Sequence, residues 1–236
     1  MAPQGPVGVI TGGTSGIGAA TALEFASLGA RLLLITIDAE EGRRVQEEVG
    51  ACGGQAAVVE LDVADHRRLE AAVQAFAERH GPVDFLVANA GIAEQSSFAT
   101  GDPERWRRVI ETNVLRTLYS IRAVFPLMRE RGEGHILLTA SISGREPYIA
   151  SKWAVVGIGH SLRLEAAEVG VRVTLIEPGM VDTPLTRNSP LVAPLLEQST
   201  PLSPEDVARA ILYAYGQPPG VTVGELAIRP LRQRRL

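Results

Sequence analysis

Short apolar runs alternate with amphipathic segments along the chain. The apolar runs predict strands over Val7–Thr11, Arg31–Ile37, Ala56–Leu61, Val83–Ala88, His135–Thr139, Val171–Glu177 and Glu225–Ile228. Apolar positions spaced three and four residues apart predict helices over Ile17–Leu28, Glu40–Val49, His66–Arg79, Glu104–Met128, Tyr148–Glu168 and Pro204–Tyr215. Nearly continuous apolar strands that alternate with helices indicate a parallel sheet covered on both faces. The pattern therefore predicts an α/β doubly wound fold of about seven strands.

The alternation of strands and helices continues without a linker, repeat or low-complexity segment. We therefore predict a single domain over residues 1–236, with a core supplied by the 45% of residues that are apolar. Asn188–Ser203 is rich in Pro and Ser and predicts a mobile flap, which we extend to residues 184–203. We interpret this segment as a substrate flap and not as a domain boundary.

Charge and cysteine content narrow the class of partner. The formal net charge of −4 argues against a nucleic-acid partner, and no apolar run reaches membrane-spanning length. The single cysteine, Cys52, excludes an internal disulfide and favours a cytoplasmic protein. We expect no membrane partner and no metal site.

A glycine-rich segment joins the first predicted strand to the first predicted helix. It reads Thr11-Gly12-Gly13-Thr14-Ser15-Gly16-Ile17-Gly18. A strand, a glycine-rich turn and a helix form the context in which such a loop binds a dinucleotide pyrophosphate. Glycine lets the backbone approach the phosphates, and the free N–H groups of the helix start face them. This segment predicts a dinucleotide cofactor.

Polar residues also follow the other predicted strands. They are Thr36–Asp38, Asp62, Asn89–Gly91, Ser141 and Pro178–Thr183. Ligands of a doubly wound sheet bind beyond the carboxyl ends of its strands. We therefore expect these residues to surround one site.

Tyr148 and Lys152 lie one helical turn apart on the same predicted helix face. A neighbouring ammonium favours the phenolate and lowers the tyrosine pKa, which would make Tyr148 a usable acid–base group. Ser141, at the end of a strand, could hydrogen-bond a substrate carbonyl. The spacing alone is common, and by itself it favours a helix with a surface lysine and a half-buried tyrosine.

Taken in order, these motifs resemble those of the short-chain dehydrogenase/reductase family over nearly the whole chain. Thr11–Gly18 matches TGxxxGxG, Asn89–Gly91 matches NAG, and Asn113 falls mid-helix where the family has an asparagine. Ser141, three residues before Gly144, matches the catalytic serine. Tyr148 and Lys152 match YxxxK, and Pro178–Thr183 matches PGxVxT.

The resemblance implies an NAD(P)-dependent oxidoreductase of the alcohol dehydrogenase or carbonyl reductase type, which exchanges a hydride with a secondary alcohol or ketone. Tyr148 would be the general acid–base group and Ser141 would orient the substrate oxygen. Lys152 would lower the Tyr148 pKa and hold the nicotinamide ribose, while Asn113 would hold a water linking Lys152 to solvent. The implied cofactor-binding residues are Gly12, Thr14, Ser15, Gly16, Ile17, Gly18, Thr36, Asp38, Asp62, Val63, Asn89, Ala90, Gly91, Tyr148, Lys152, Pro178, Gly179, Val181 and Thr183.

Plainer interpretations exist for two of these residues. Asn113 would also suit a buried position that bonds only the backbone, and Asp62 would suit the cap of the next helix.

The end of the second strand departs from the family pattern. Thr36 stands where an acid normally binds the ribose 2′-OH, and neither Ile37 nor Ser15 supplies the cation typical of NADP enzymes. Asp38 either reaches the ribose or caps the following helix. Because a 2′-phosphate would lack a compensating cation, NAD(H) is slightly favoured over NADP(H).

The connection between Ser141 and Tyr148 is the second departure. Only Ile142–Pro147 intervene, which is shorter than is usual in the family. Either the loop is short or the natural chain has further residues here, which an intact mass well above 25.2 kDa would reveal. A short loop also favours an alternative function, a dinucleotide-binding protein with little or no catalysis.

The resemblance further implies a homodimer or homotetramer packed through Glu104–Met128 and Tyr148–Glu168. Trp153 and Val156 would lie on or near that face, or else belong to the core. We expect the substrate pocket to be built from Ile92–Phe98, Ser143–Pro147 and Leu185–Leu196, which are mostly uncharged. That composition favours a small neutral or apolar carbonyl or alcohol substrate.

Overall fold

A computed structural model describes residues 5–93, 98–141, 146–190, 192–197 and 200–232. Seven strands form one sheet in the order β3-β2-β1-β4-β5-β6-β7, and all neighbouring strands are parallel. The strands are β1 (Val7–Thr11), β2 (Arg31–Thr36), β3 (Gln55–Glu60), β4 (Phe85–Ala88), β5 (Gly134–Thr139), β6 (Val171–Pro178) and β7 (Glu225–Ile228). The predicted parallel, doubly wound α/β sheet is confirmed.

Helices connect the strands and cover the two faces of the sheet. They are α1 (Gly16–Ala26), α2 (Ala39–Ala51), α3 (His66–His80), α4 (Pro103–Ile110), α5 (Arg116–Arg131), α6 (Glu146–Glu168), α7 (Pro184–Arg187), α8 (Ala193–Glu197) and α9 (Pro204–Tyr215). Within the described ranges, no helix combines the length with the apolar composition needed to traverse a lipid bilayer.

Two buried clusters hold the layers together. One packs α3, α5 and α6 on one face of the sheet, and the other packs α1, α2 and α9 on the opposite face. Phe25 of α1 stacks on Phe85 of β4 with ring centroids 3.9 Å apart. Gly8 of β1 makes room for this stack, because any side chain there would enter the Phe85 ring.

The strand order determines where the candidate ligand site lies. Thr11, the last residue of β1, pairs with Ile35 of β2 and Ala88 of β4. The connection after β1 leads to β2 on one side of β1, and the connection after β3 leads to β4 on its other side. This reversal of strand order opens a crevice beyond the strand ends. The glycine-rich loop after β1 and the segment 89–91 after β4 therefore leave the sheet side by side.

The predicted long helix Glu104–Met128 is interrupted. Glu111–Leu115 form a π-helical turn between α4 and α5. A π-turn inserts an extra residue into the helical repeat and frees backbone groups from the regular ladder. Asn113 lies at the centre of this turn, so the interruption falls at one of the predicted site residues.

The predicted flap is partly regular. Its described part contains α7 and α8, and a parallel bridge between Val181 and Leu202 joins its two ends. The hydrogen bonds Asp182 N–H to Leu202 O and Leu202 N–H to Met180 O accompany that bridge. The segment therefore leaves and rejoins the molecule at one point.

Candidate active site

The glycine-rich loop is shaped by positions where a side chain does not fit. Gly12 and Gly16 have φ of 63° and 48°, a region that favours glycine. A Cβ on Gly18 would run into the carbonyl of Gly12, so α1 starts directly against the loop. Asn89 Nδ2 donates to the same Gly12 carbonyl at 3.1 Å, which ties the segment after β4 to the loop. The loop thus presents bare backbone and a helix start to the crevice.

At the end of β2, the hydroxyls of Thr14 and Thr36 lie 2.7 Å apart, and Thr36 Oγ1 also accepts the N–H of Asp38 at 3.0 Å. Thr36 is buried, whereas Ile37 is 76% exposed. The Asp38 carboxylate accepts the N–H groups of Glu40 and Glu41, both at 3.0 Å, and so caps α2. Of the two interpretations of Asp38, the structure shows capping.

The loop after β3 is tied to the helix that follows the π-turn. Asp62 accepts the N–H of Ala64 at 2.8 Å and forms a salt bridge with Arg116 Nη2 at 2.7 Å. Asp65, and not Asp62, caps α3, so the capping interpretation of Asp62 is wrong. The side chain of Val63 is buried in the core and leaves only its backbone for a ligand.

Sequence reasoning missed Arg116. It lies 54 residues from Asp62, and no local pattern links the two. Its position three residues after Asn113 is the hint that the sequence offered.

Asn113 is buried, and both hydrogens of its side-chain amide are engaged. Its Oδ1 accepts the N–H of Ile92 at 2.8 Å, and its Nδ2 donates to Ile92 O and to Ser151 Oγ, both at 2.9 Å. Thr117 Oγ1 donates to its main-chain carbonyl at 2.8 Å. The side chain therefore matches the plainer interpretation of a buried residue that bonds backbone, with Ser151 as an added partner.

Ser141, Tyr148 and Lys152 come together where β5 ends and α6 begins. Tyr148 shares a hydrogen bond with Ser141, whose hydroxyl also donates to Pro178 O at 3.3 Å. Lys152 Nζ lies 6.0 Å from the centroid of the Tyr148 ring and donates to Thr139 O at 2.8 Å. Ser141 and Tyr148 thus meet across their short connection, of which residues 142–145 lie outside the described part of the chain.

The direction of the Tyr148 pKa differs from the sequence-based expectation. Burial raises the pKa of Tyr148, and the hydrogen bond with Ser141 opposes this only in part. Burial also lowers the pKa of Lys152 to about 8. The expected lowering fails because both groups lose water, and because the ammonium bonds Thr139 rather than the phenol.

Gly91 lies between two of these groups. A Cβ there would lie 3.1 Å from Asn113 Oδ1 and 3.6 Å from Lys152 Nζ. The first distance is tighter than normal packing, so glycine is what allows the loop after β4 to pass this close.

The base of the flap packs on the glycine-rich loop. Thr183 caps α7 in a reciprocal capping box with Thr186, and a Cβ on Gly16 would lie 3.1 Å from Thr183 Cγ2. Arg187, one of the few charged residues of the predicted pocket, forms a two-pronged ion pair with Asp182 at 2.6 and 2.9 Å. The flap base therefore carries no net charge from this pair.

Parts of the predicted pocket fall outside the described residues. These are Glu94–Ser97, Ile142–Arg145, Leu191, Gln198 and Ser199, which belong to the predicted pocket segments, the short loop and the flap.

Known proteins resemble this chain in sequence. A family model described as short chain dehydrogenase matches residues 6–191. An uncharacterized oxidoreductase of Staphylococcus saprophyticus is 40% identical over 241 residues, which cover 97% of this chain and 98% of that protein.

Solved structures of short-chain oxidoreductases share the fold of this chain. A metagenomic short-chain oxidoreductase in complex with NADP superposes with a TM-score of 0.81 at 30% identity, covering 96% of this chain and 97% of that one. A short chain dehydrogenase from Mycobacterium paratuberculosis bound to NAD has a TM-score of 0.85 at 25% identity, with coverage of 95% and 96%.

Proposed function

The chain belongs to the short-chain dehydrogenase family, and we propose that it exchanges a hydride between a nicotinamide cofactor and a secondary alcohol or ketone. An oxidoreductase with a nicotinamide cofactor is what the relatives and structural neighbours support. The finer assignment depends on one observation, the hydrogen bond between Ser141 and Tyr148 beside the buried Lys152. These groups form an acid–base centre at the carboxyl end of the sheet.

The crevice fits such a cofactor. Gly12 and Gly16 hold the loop in conformations that keep its backbone bare, and α1 begins where a pyrophosphate would sit. We propose the glycine-rich loop as the pyrophosphate site, and the segments after β3, β4 and β6 as the walls for the adenine, the central ribose and the carboxamide. The same domain would then hold cofactor and substrate.

The bound nicotinamide would supply or take up the hydride. In the reductive direction, the Tyr148 hydroxyl donates its proton to the substrate oxygen, and Ser141 donates a hydrogen bond that holds this oxygen in place. The raised pKa keeps Tyr148 protonated at neutral pH, which suits an acid.

Lys152 would restore the lost proton. Its pKa of about 8 lets it exchange a proton near neutral pH, and its bond to Thr139 fixes the Nζ. We propose that the water associated with Asn113 contacts its main-chain carbonyl or the remaining Oδ1 lone pair, since both amide hydrogens are engaged.

We propose a preference for NAD(H). Ile37 projects openly at the end of β2, and the exposed acids that follow it, Asp38, Glu40 and Glu41, carry negative charge. A 2′-phosphate there would meet these carboxylates without a cation beside them in the turn. Measuring kcat/KM and Kd with NADH and NADPH tests this, and a preference for NADPH above about tenfold would overturn it.

Screening neutral and apolar carbonyl compounds and alcohols with both cofactors tests the activity itself. Turnover of at least one carbonyl–alcohol pair is expected. Tight cofactor binding without turnover of any compound would instead indicate a dinucleotide-binding protein.

We further propose a cytoplasmic homodimer or homotetramer. Trp153 on α6 is 66% exposed, and an apolar groove between α5 and α6 is lined by Leu118, Phe125 and Ile158. Val156 is buried, so of the two residues predicted for this face only Trp153 projects from it. Sedimentation at micromolar concentration tests the assembly, and a monomer would contradict it.

A further inference from the structure

Ser151 connects two parts of the site and has no part in the reaction outlined above. It is fully buried on α6, between Tyr148 and Lys152 in their shared first turns. Its hydroxyl accepts a hydrogen bond from Asn113 Nδ2 at 2.9 Å and donates one to the Tyr148 carbonyl at 2.6 Å. A serine that bonds the carbonyl three residues earlier is common in helices, so this bond alone would indicate nothing.

The incoming bond from Asn113 distinguishes Ser151. A hydroxyl has one hydrogen, and donation to Tyr148 O uses it, so the bond with Asn113 has a fixed direction. The amide of Asn113 is fixed in turn, because Ile92 N–H donates to its Oδ1 and Ile92 O accepts from its Nδ2. One directed chain of hydrogen bonds therefore runs from the loop after β4, through the π-turn, to the backbone of Tyr148.

We propose that Ser151 is a positioning residue, which holds the first turns of α6 against Asn113 and so keeps the Tyr148 hydroxyl at Ser141. The proposal depends on the proposed function for its catalytic consequence, although the placement of Tyr148 can be measured without turnover. The short connection after Ser141 makes an anchor on the helix side more important, because α6 begins at Glu146, two residues before Tyr148.

Removing the Ser151 hydroxyl breaks this chain of hydrogen bonds at its centre. In Ser151→Ala, an Asn113 N–H loses its buried acceptor and the Tyr148 carbonyl loses its second partner. The start of α6 can then shift, and the hydrogen bond between Tyr148 and Ser141 lengthens. That bond lowers the Tyr148 pKa against the effect of burial, so its loss raises the pKa further. Lys152 is the nearby titratable group, and because its pKa is about 8 it is already a neutral amine where Tyr148 ionises.

The test uses the full chain and three variants. Ser151→Ala removes the hydroxyl, Ser151→Cys replaces it with a larger and weaker hydrogen-bonding thiol, and Ser161→Ala is the matched control on an exposed position of the same helix. Circular dichroism and thermal melting first establish that each variant folds.

The first readout needs no substrate. Tyrosine ionisation is followed by ultraviolet difference absorbance in cofactor-free protein, and subtraction of the Tyr148→Phe curve isolates Tyr148. We expect the titration of Tyr148 to move to higher pH in Ser151→Ala, by less in Ser151→Cys, and to stay unchanged in Ser161→Ala. A Tyr148 titration that is the same in Ser151→Ala and the native chain would overturn the proposal.

The second readout is kinetic and uses a substrate found in the screen. We expect kcat for alcohol oxidation to fall between about 10-fold and 100-fold in Ser151→Ala, with the rising limb of its pH profile at higher pH and cofactor Kd unchanged. A loss of rate with an unmoved pH profile would indicate a merely structural role. If no compound is turned over, the proposed function fails while the titration still decides the role of Ser151.

Discussion

Lys152 Nζ donates a hydrogen bond to the main-chain carbonyl of Thr139 at 2.8 Å, so the ammonium is anchored to the end of β5 and not to the phenol it faces. Tyr148 is bonded instead by Ser141, the residue two positions beyond Thr139. The two hydrogen bonds tie the acid–base pair to different residues at the end of one strand. Each group can therefore be altered with a distinct consequence.

Tyr148→Phe should abolish turnover and leave cofactor binding intact. The substitution removes only the hydroxyl that would carry the proton, and the ring keeps its packing. Steady-state rates with a substrate from the screen, together with cofactor Kd from protein fluorescence, check this. Tyr213→Phe, at an exposed position on α9, is the control and should keep full activity. Unchanged turnover in Tyr148→Phe would remove Tyr148 from the mechanism.

Lys152→Met should remove activity and yet stabilise the fold at neutral pH. Burial lowers the Lys152 pKa from 10.5 to about 8, so the unfolded chain binds more protons between these values and stability rises with pH across them. Below pH 8 the charged lysine costs up to about 3 kcal/mol, less the hydrogen bond to Thr139. Denaturant unfolding at several pH values should show a gain for Lys152→Met at pH 7 that disappears near pH 10.5. An equal or lower stability at pH 7 would contradict the buried charge.

Ile37→Arg should shift cofactor choice toward NADPH. The residue is 76% exposed at the end of β2, where a guanidinium could pair with a 2′-phosphate. A charge-assisted bond of this kind should tighten NADPH binding by about 10-fold to 100-fold relative to NADH. Leu28→Arg, an exposed position past the other end of α1, controls for added charge and should leave the Kd ratio unchanged.

His135 should make the fold sensitive to acid. Its ring is fully buried, and because Thr174 donates its own hydrogen to Val223 O, His135 Nε2 is the donor to Thr174. Burial, with Arg172 nearby, lowers the His135 pKa to about 3. The unfolded chain takes up this proton near pH 6.5, so stability falls as the pH drops from 6.5 toward 3, by at most about 5 kcal/mol.

His135→Gln keeps a donor for Thr174 and cannot be protonated in this range. Its free energy of unfolding should therefore depend less on pH between 6.5 and 4 than that of the native chain. His160→Gln, at an exposed position on α6, is the comparison variant. Identical pH slopes in the native chain and His135→Gln would show that His135 does not contribute.

Gly8→Ala should destabilise the sheet by about 1–3 kcal/mol or more, because its methyl group would overlap the Phe85 ring stacked on Phe25. Gly50→Ala is the matched substitution in α2, where nothing lies within 4 Å and alanine favours the helix. Thermal melting should therefore move in opposite directions for the two variants. A Gly8→Ala protein as stable as the native chain would mean that β1 and β4 are packed more loosely.

Local patterns were sufficient for the framework of the fold. The predicted bounds of β1, β7 and α9 coincide with the observed ones, because apolar periodicity and flanking turns are set by neighbouring residues. The π-turn at Glu111–Leu115 was not foreseen, since the sequence there keeps a helical repeat. A π-turn depends on hydrogen-bond partners for the groups that it releases from the regular helix, and those partners lie elsewhere in the chain.

Sequence by itself determined the family, the parallel sheet and the chemical groups that line the strand ends. Tertiary structure decided which partner each polar group takes: Asp38 caps α2, Asp62 pairs with Arg116, and Asn113 reaches Ser151. A polar side chain has several possible hydrogen-bond partners of similar strength, and burial selects among them because an unpaired buried group is costly. That selection depends on residues far apart in the chain, so only the packed molecule could make it.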